Sequence, residues 1–305
     1  MPDEQMTSAN QPRSHTGRTY HVETQPGQMA NRIITVGDPA RARMLAQHLD
    51  PVLFEHASHR GFLTITGLYR GLPLSIVAIG MGPSMMDFFV RETRMVVDGP
   101  LAIVRLGSCG SICQARIGDV IVAKGAFGIG RNYAFFDGDQ EDARGDAYVV
   151  WPAVGADERL TGRVAGGLGR ALGMDRVFEG LVGNADSFYG SQGRQGDDFY
   201  DANAGLLDLV HKQQPGAVAL EMECHVLFHL AKASTGSRNQ RPASVRAACA
   251  LMVFADRAGN QFIGPETSRQ MVKTAARAIL DALVDDMPTQ QGLHPEAGSV
   301  WENKL

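Results

Sequence analysis

Short apolar runs that stop on glycine, alternating with segments of helical spacing, recur along this chain and constrain its fold more than any other feature. RIITVG (32–37) halts at Gly37-Asp38-Pro39 and leads into a helical segment, ARARMLAQHL (40–49). GFLTITGLY (61–69) and LPLSIVAIG (72–80) are separated only by Arg70 and Gly71, which predicts a hairpin. PSMMDFFVRETRMVVDG (83–99) has apolar residues at helical spacing, opens on Pro83 and closes at Gly99. LAIVRLGSCG (101–110), GDVIVAKGAFG (118–128), VFEGLVGNADSF (177–188), AVALEM (217–222) and VRAACALMVFADR (245–257) read as further strands. ERLTGRVAGGLGRALG (158–173), AGLLDLVHKQQ (204–214), ECHVLFHLAKA (223–233) and SRQMVKTAARAILDALVDDM (268–287) read as helices, the first weakened by its glycines. In the last, Met271, Ala275, Ala278, Ile279 and Ala282 form the apolar face and Leu283 widens it. The alternation predicts an α/β fold: a single domain with a central mixed β-sheet flanked by helices. DGDQEDARGDA (137–147) reads as an exposed acidic loop. Expected boundaries are a flexible tail over 1–20, the domain over 21–287 and a loose tail over 288–305.

Charge and composition exclude several classes of partner. A net charge of −4 and 44% hydrophobic residues give no basic surface for nucleic acid or an anionic membrane. No stretch reaches the ~20 apolar residues of a membrane span. The N-terminal segment has no apolar run and is not a secretory signal. Cys109, Cys113, Cys224 and Cys249 fall at neither CxxC nor zinc-site spacing, so free thiols, no metal and a cytoplasmic setting are expected.

Three groups of residues look chemical. Arg41 in VGDPAR, Arg60 in SHRG, Arg105 inside IVRLGS and Arg257 at the end of MVFADR stand at or near strand ends, where ligands of α/β sheets collect. The planar guanidinium grips an oxyanion bidentately, and an arginine inside a core strand needs an anionic partner. Gly37 and Gly107-Ser108 offer backbone N–H groups to the same anion. Neither GxxxxGK[ST] nor GxGxxG is present, which argues against a nucleoside-triphosphate or NAD enzyme. In NADSFYGSQGR (184–194), Phe188 and Tyr189 supply an apolar wall, while Gln192 and Arg194 suit an amide-like edge and an oxygen gaining charge. Glu221-Met222-Glu223 joins two carboxylates, acceptors for vicinal hydroxyls, to an apolar floor. The residues alone leave plainer readings open: a solvated loop for the second group and ion-paired glutamates for the third.

Taken in order, VGDPAR, ASHR, IVRLGSCGSI, SFYGSQGR, ALEMEC and VFADR resemble the uridine phosphorylase branch of the nucleoside phosphorylase superfamily, over residues 21–285. The resemblance implies reversible phosphorolysis of uridine to uracil and ribose 1-phosphate, with inorganic phosphate as co-substrate and no organic cofactor. It implies phosphate binding by Gly37, Arg41, Arg60, Arg105 and Ser108, and ribose binding by His21, Glu221, Met222 and Glu223. It places the base at Phe188, Gln192, Arg194, Arg257 and Asp256, with catalysis by Arg194, Gln192 and Arg257. Arg60 and His21 would come from a neighbouring subunit, so a homodimer is the minimum unit. Three positions depart from the family pattern. GMGPS (80–84) is one residue short, and Gly61 replaces the glutamate of members that bind potassium. Asp256 stands where the uridine branch has asparagine and where purine phosphorylases use an aspartate on the base. A purine or broad-specificity phosphorylase is therefore the alternative, and a non-catalytic nucleoside-binding protein the alternative of another class.

Overall fold

The computed structural model describes residues 4–137, 145–234 and 245–305. Most of the acidic loop read at 137–147 lies outside them. The strands are β1 (Arg32–Val36), β2 (Val52–Ala57), β3 (Leu63–Tyr69), β4 (Leu72–Ala78), β5 (Leu101–Ser111), β6 (Val120–Arg131), β7 (Tyr148–Val150), β8 (Val154–Gly155), β9 (Val177–Ala185), β10 (Ala217–Glu221), β11 (Val245–Asp256) and β12 (Gln261–Phe262). The helices are α1 (Pro39–Ala46), α2 (Pro83–Val96), α3 (Tyr133–Asp137), α4 (Glu158–Leu172), α5 (Leu206–Gln213), α6 (Cys224–Ser234) and α7 (Pro265–Asp286). Every strand and helix read from the apolar pattern is present; β2 and the short β7, β8, β12 and α3 were not anticipated.

All strands belong to one mixed sheet. β5 is its axis. β11 runs parallel along one edge of β5 from Leu101 to Ser111. The order β5–β11–β6–β9–β10 returns to β5 and closes a barrel, while β1, β4, β3 and β2 extend the sheet outward. The predicted hairpin joins β3 to β4, with Tyr69 opposite Leu72. Its two linking residues, Arg70 (φ 52°) and Gly71 (φ 74°), are both left-handed, as the twist of a two-residue hairpin demands.

Alternation along the buried strands feeds two cores. Ala102, Val104 and Leu106 of β5 face α1, α4 and α7, with Leu45, Leu168 and Ile279. Leu101 and Ile103 face α2 and α6, with Phe89 and Phe228. The predicted apolar face of α7 is buried throughout. Arg32, in the first strand, is fully buried. Its guanidinium donates to the carbonyls of Met287, Thr289 and Pro73, closing the C-terminus of α7 against β1.

Neither end of the chain trails away as expected. Thr19 is buried, and β-bridges pair Met6 with Ser14 and Arg13 with Thr19. Trp301 is fully buried against Ala30 and Leu68, and Val300 N–H donates to the Gly27 carbonyl at 2.9 Å. One indole in a polar segment buries enough apolar surface to anchor it, which composition averaged over 288–305 conceals.

Candidate active site

Along one edge of β5, β1 and β10 take successive stretches. β1 pairs in parallel up to Thr35 opposite Arg105; β10 pairs antiparallel from Leu220 opposite Gly110. Between these registers neither strand covers that edge, and the carboxyl ends of β1 and β10 point at each other across the gap. Ligand crevices in open α/β sheets form at such divergences. A cavity of about 190 Å³ opens there. Its wall carries Gly37 and Arg41 after β1, Arg105 and Ser108 on β5, Glu221 at the end of β10, and Met222 and Glu223 just after it. Phe188, Gln192 and Arg194 complete the wall from the turn after β9.

Local chemistry sets each group. Asp38 caps α1, its carboxylate accepting the Ala40 N–H at 2.8 Å, and Pro39 starts the helix. This puts Arg41 in the first turn, where its Nη1 donates to the Leu106 carbonyl at 3.2 Å. Burial, and then repulsion from Arg105, lower the Arg41 pKa to about 10, which Asp38 only partly offsets. Arg105 is buried, with Nη2 on Glu223 and Nε 3.9 Å from Glu221. Burial disfavours its charge, but Glu223 and Glu221 outweigh that and its pKa is raised. Its Nε and Nη1 make no hydrogen bond within the protein.

The chain turns from β10 into α6 within Glu221-Met222-Glu223, yet both carboxylates stay on Arg105. Glu221 accepts the N–H groups of Glu223 (2.8 Å) and Cys224 (2.9 Å) at the start of α6. Burial, then the charge of Glu223, push the Glu221 carboxyl up to about 7, against the pull of Arg105 and those N–H groups. Glu223 accepts the Gly82 N–H at 2.6 Å. Gly82 has φ 102° and precedes Pro83 at the head of α2, so the short GMGPS segment delivers its backbone directly to a site carboxylate.

The turn carrying Gln192 and Arg194 is held rigidly. Arg194 Nη1 donates to the Phe188 carbonyl (2.6 Å) and to Gln192 Oε1 (2.5 Å), and its guanidinium carbon lies 3.7 Å from the Phe188 ring centre. Burial, then Arg257, lower the Arg194 pKa to about 10. Gln192 Oε1 accepts from Arg194 and keeps a second lone pair, and its amide N–H₂ is available to donate to a ligand. Arg257 is off the cavity wall: it donates to the carbonyls of Gln192 (2.8 Å) and Gly193 (3.2 Å), and so braces the turn. Asn203 grips the same turn from the other side through the carbonyls of Gly190 and Arg194.

Three more expected residues stand off this wall. Asp256 accepts the N–H groups of Ala258 and Gly259 within its own turn. His21 pairs with Glu92 and stacks on Phe88 at 4.0 Å, and Arg60 lies 5.9 Å above the Tyr20 ring. Met81, Cys109, Phe254 and Phe262 line the cavity but were not read from the sequence. The glycine–asparagine turn after Arg257 (Asn260, φ 47°) signals the β11–β12 hairpin that brings Phe262 in. Among the described residues, no group of three or more His, Cys, Asp or Glu is gathered to hold a metal ion.

Residues 31–285 match the model of the phosphorylase superfamily, and the chain belongs to that family. It is 30% identical over 280 residues to the uridine phosphorylase of Thermococcus kodakarensis, covering 90% of this chain and 91% of that protein. A solved uridine phosphorylase of the oomycete Phytophthora capsici superposes with a TM-score of 0.84 at 34% identity, covering 92% of this chain and 98% of that one. Within the superfamily the chain therefore falls in the uridine phosphorylase branch. The Trypanosoma brucei nucleoside phosphorylase shares the fold, with a TM-score of 0.71 at 19% identity over 90% of this chain and 99% of that one.

Proposed function

We propose that this chain catalyses the reversible phosphorolysis of uridine to uracil and ribose 1-phosphate. The carrying observation is the convergence on one cavity of two mutually repelling guanidiniums, two buried carboxylates and a glutamine–arginine pair. Phosphate binds between Arg41 and Arg105, where its charge relieves their repulsion and the free N–H groups of Arg105 find acceptors. Ser108 and the backbone at Gly37 lie on the same wall. Glu221 and Glu223 accept hydrogen bonds from the ribose hydroxyls, over the apolar side chain of Met222. Phe188 walls the base, and Gln192 and Arg194 read its edge.

Holding phosphate beneath C1′ is orientation work. As the C1′–N1 bond breaks, positive charge grows on the sugar facing the phosphate dianion, and a phosphate oxygen forms the new bond to C1′. The electron pair leaves with the base, spread over its ring oxygens, where Arg194 and Gln192 donate. A solvent proton then returns to N1. Arg257 acts on the base through the turn it braces. Arg60 and His21, away from their own cavity, serve the neighbour's in a homodimer. The four unpaired thiols suit a reducing, cytoplasmic setting.

The test is to incubate the protein with uridine, thymidine and inosine, each with and without phosphate, and follow free base. Uracil release that requires phosphate is the expected result. Release of hypoxanthine in place of uracil would overturn it and require Asp256 to leave its turn.

A further inference from the structure

A second cavity, of about 520 Å³, lies between α4 and α7, remote from the residues that line the phosphorolysis site. Its wall carries Arg170 from α4 and Lys273 and Arg277 from α7. Among the described residues none of these three makes a hydrogen bond or an ion pair, whereas the acidic side chains beside them are engaged. Asp281 and Asp285 take Arg70 at 3.3 and 3.0 Å, and Asp281 also accepts from Tyr69 at 2.9 Å. Those two carboxylates share one guanidinium, so the groove keeps a net positive charge from two helices.

The glycines of α4 show how the groove stays open. Two of them serve packing: a Cβ on Gly167 would come 3.1 Å from the Ala278 carbonyl oxygen, and one on Gly169 would strike Met174. Gly162 and Gly166 have no such reason. A Cβ on Gly162 would meet nothing within 4 Å, and one on Gly166 would meet only the end of Arg170 at 3.5 Å. Glycine inside a helix sacrifices ~1 kcal/mol relative to alanine, and here it leaves a floor of bare backbone beneath the cations.

We propose that this groove binds a nucleoside triphosphate, its polyphosphate chain on Arg170, Lys273 and Arg277 and its uncharged nucleoside over the floor at Gly162 and Gly166. Lys273 and Arg277 are neighbours one turn apart on α7, and Arg170 comes from α4, so three cations share one wall and match the charge of a polyphosphate chain more closely than that of a single phosphate. The volume is that of a small-molecule site. Nothing here depends on the phosphorolysis reading, because the two sites share no lining residue.

Calorimetric titration of ATP and of inorganic tripolyphosphate into the full chain tests the idea. The expected result is one ATP per chain, with Kd at least tenfold weaker in Arg170→Glu/Arg277→Glu and in Gly166→Leu, and unchanged in Arg41→Met. Both groove variants should retain wild-type phosphorolysis. Loss of binding in Arg41→Met with retention in the groove variants would assign the triphosphate to the catalytic cavity and overturn the proposal. Unsaturable binding, or none, would do the same. Tighter binding of ATP than of tripolyphosphate supports the nucleoside contact with the floor; equal binding would refute that contact.

Discussion

Replacing Arg41 by methionine should stabilise the ligand-free protein while crippling its use of phosphate. Burial and the nearby charge of Arg105 hold the Arg41 pKa at about 10 instead of 12.5. At ~1.4 kcal/mol per pH unit, that is a penalty of ~3 kcal/mol on the charged side chain in the fold. The sign is fixed: a cation whose folded pKa is depressed stays protonated at pH 7 in both states, so the penalty is present in full there. It disappears only as pH rises from 10 towards 12.5. Against it stand the bond to the Leu106 carbonyl, worth about 1 kcal/mol net, and the guanidinium's cation–π contact 5.6 Å from the Phe254 ring centre, worth roughly 0.5–1 kcal/mol. Methionine removes the charge together with both contacts, leaving a net gain of ~1 kcal/mol. Without phosphate the melting temperature should rise by a few degrees. The lost charge-assisted bonds, roughly 1.5–3 kcal/mol, should raise the KM for phosphate by about 10- to 150-fold. Thermal melts with and without phosphate, alongside phosphate-dependent kinetics, measure both. A variant less stable than wild type in the absence of phosphate, or one with an unchanged phosphate KM, would refute this picture of a charge held in place for its ligand.

Other outcomes follow from the same geometry. Arg194→Ala should lower turnover about 100-fold, by analogy with loss of an oxyanion donor worth roughly 3 kcal/mol, with little change in the urea midpoint; unaltered turnover removes Arg194 from the chemistry. Glu221 is held near 7 against an ordinary 4.5, so its contribution is full below pH 4.5 and is lost as pH rises through 7. Stability measured against pH should therefore fall more steeply over that window in wild type than in Glu221→Gln, and parallel curves would contradict the raised carboxyl. Arg32→Met strips the buried carbonyls of Met287 and Pro73, and the carbonyl of Thr289, of their Arg32 donor. It should destabilise the fold by at least ~3 kcal/mol yet leave phosphate KM unchanged at low temperature.

Much of the fold was legible because buried strands and amphipathic helices write their periods directly into the chain. β5, β11 and α7 lie where the apolar pattern puts them. β2 was missed because it is an edge strand with no fully buried residue, so no apolar alternation announces it. The ends of the chain were misread because burial there rests on single side chains such as Trp301 and Thr19. For the site, residues bearing charge in apolar surroundings declared themselves: Arg105, Glu221 and Glu223 meet as the physics of buried charge requires. The bracing of the 190–194 turn did not, because Asn203 and Arg257 act through backbone carbonyls whose positions only the folded chain defines. His21 and Arg60 lie apart from their own cavity, held at Glu92 and over Tyr20.

The central claim is that Arg41 and Arg105 share one oxyanion, seated beside a sugar held by Glu221 and Glu223. A crystal structure of the protein with phosphate and a non-cleavable uridine analogue tests it most directly. The expected density is one tetrahedral anion within hydrogen-bond reach of both guanidiniums, with the ribose hydroxyls on the two carboxylates and the base edge at Gln192 and Arg194. Phosphate bound away from this pair, or a nucleoside whose ribose faces away from Glu223, would contradict it.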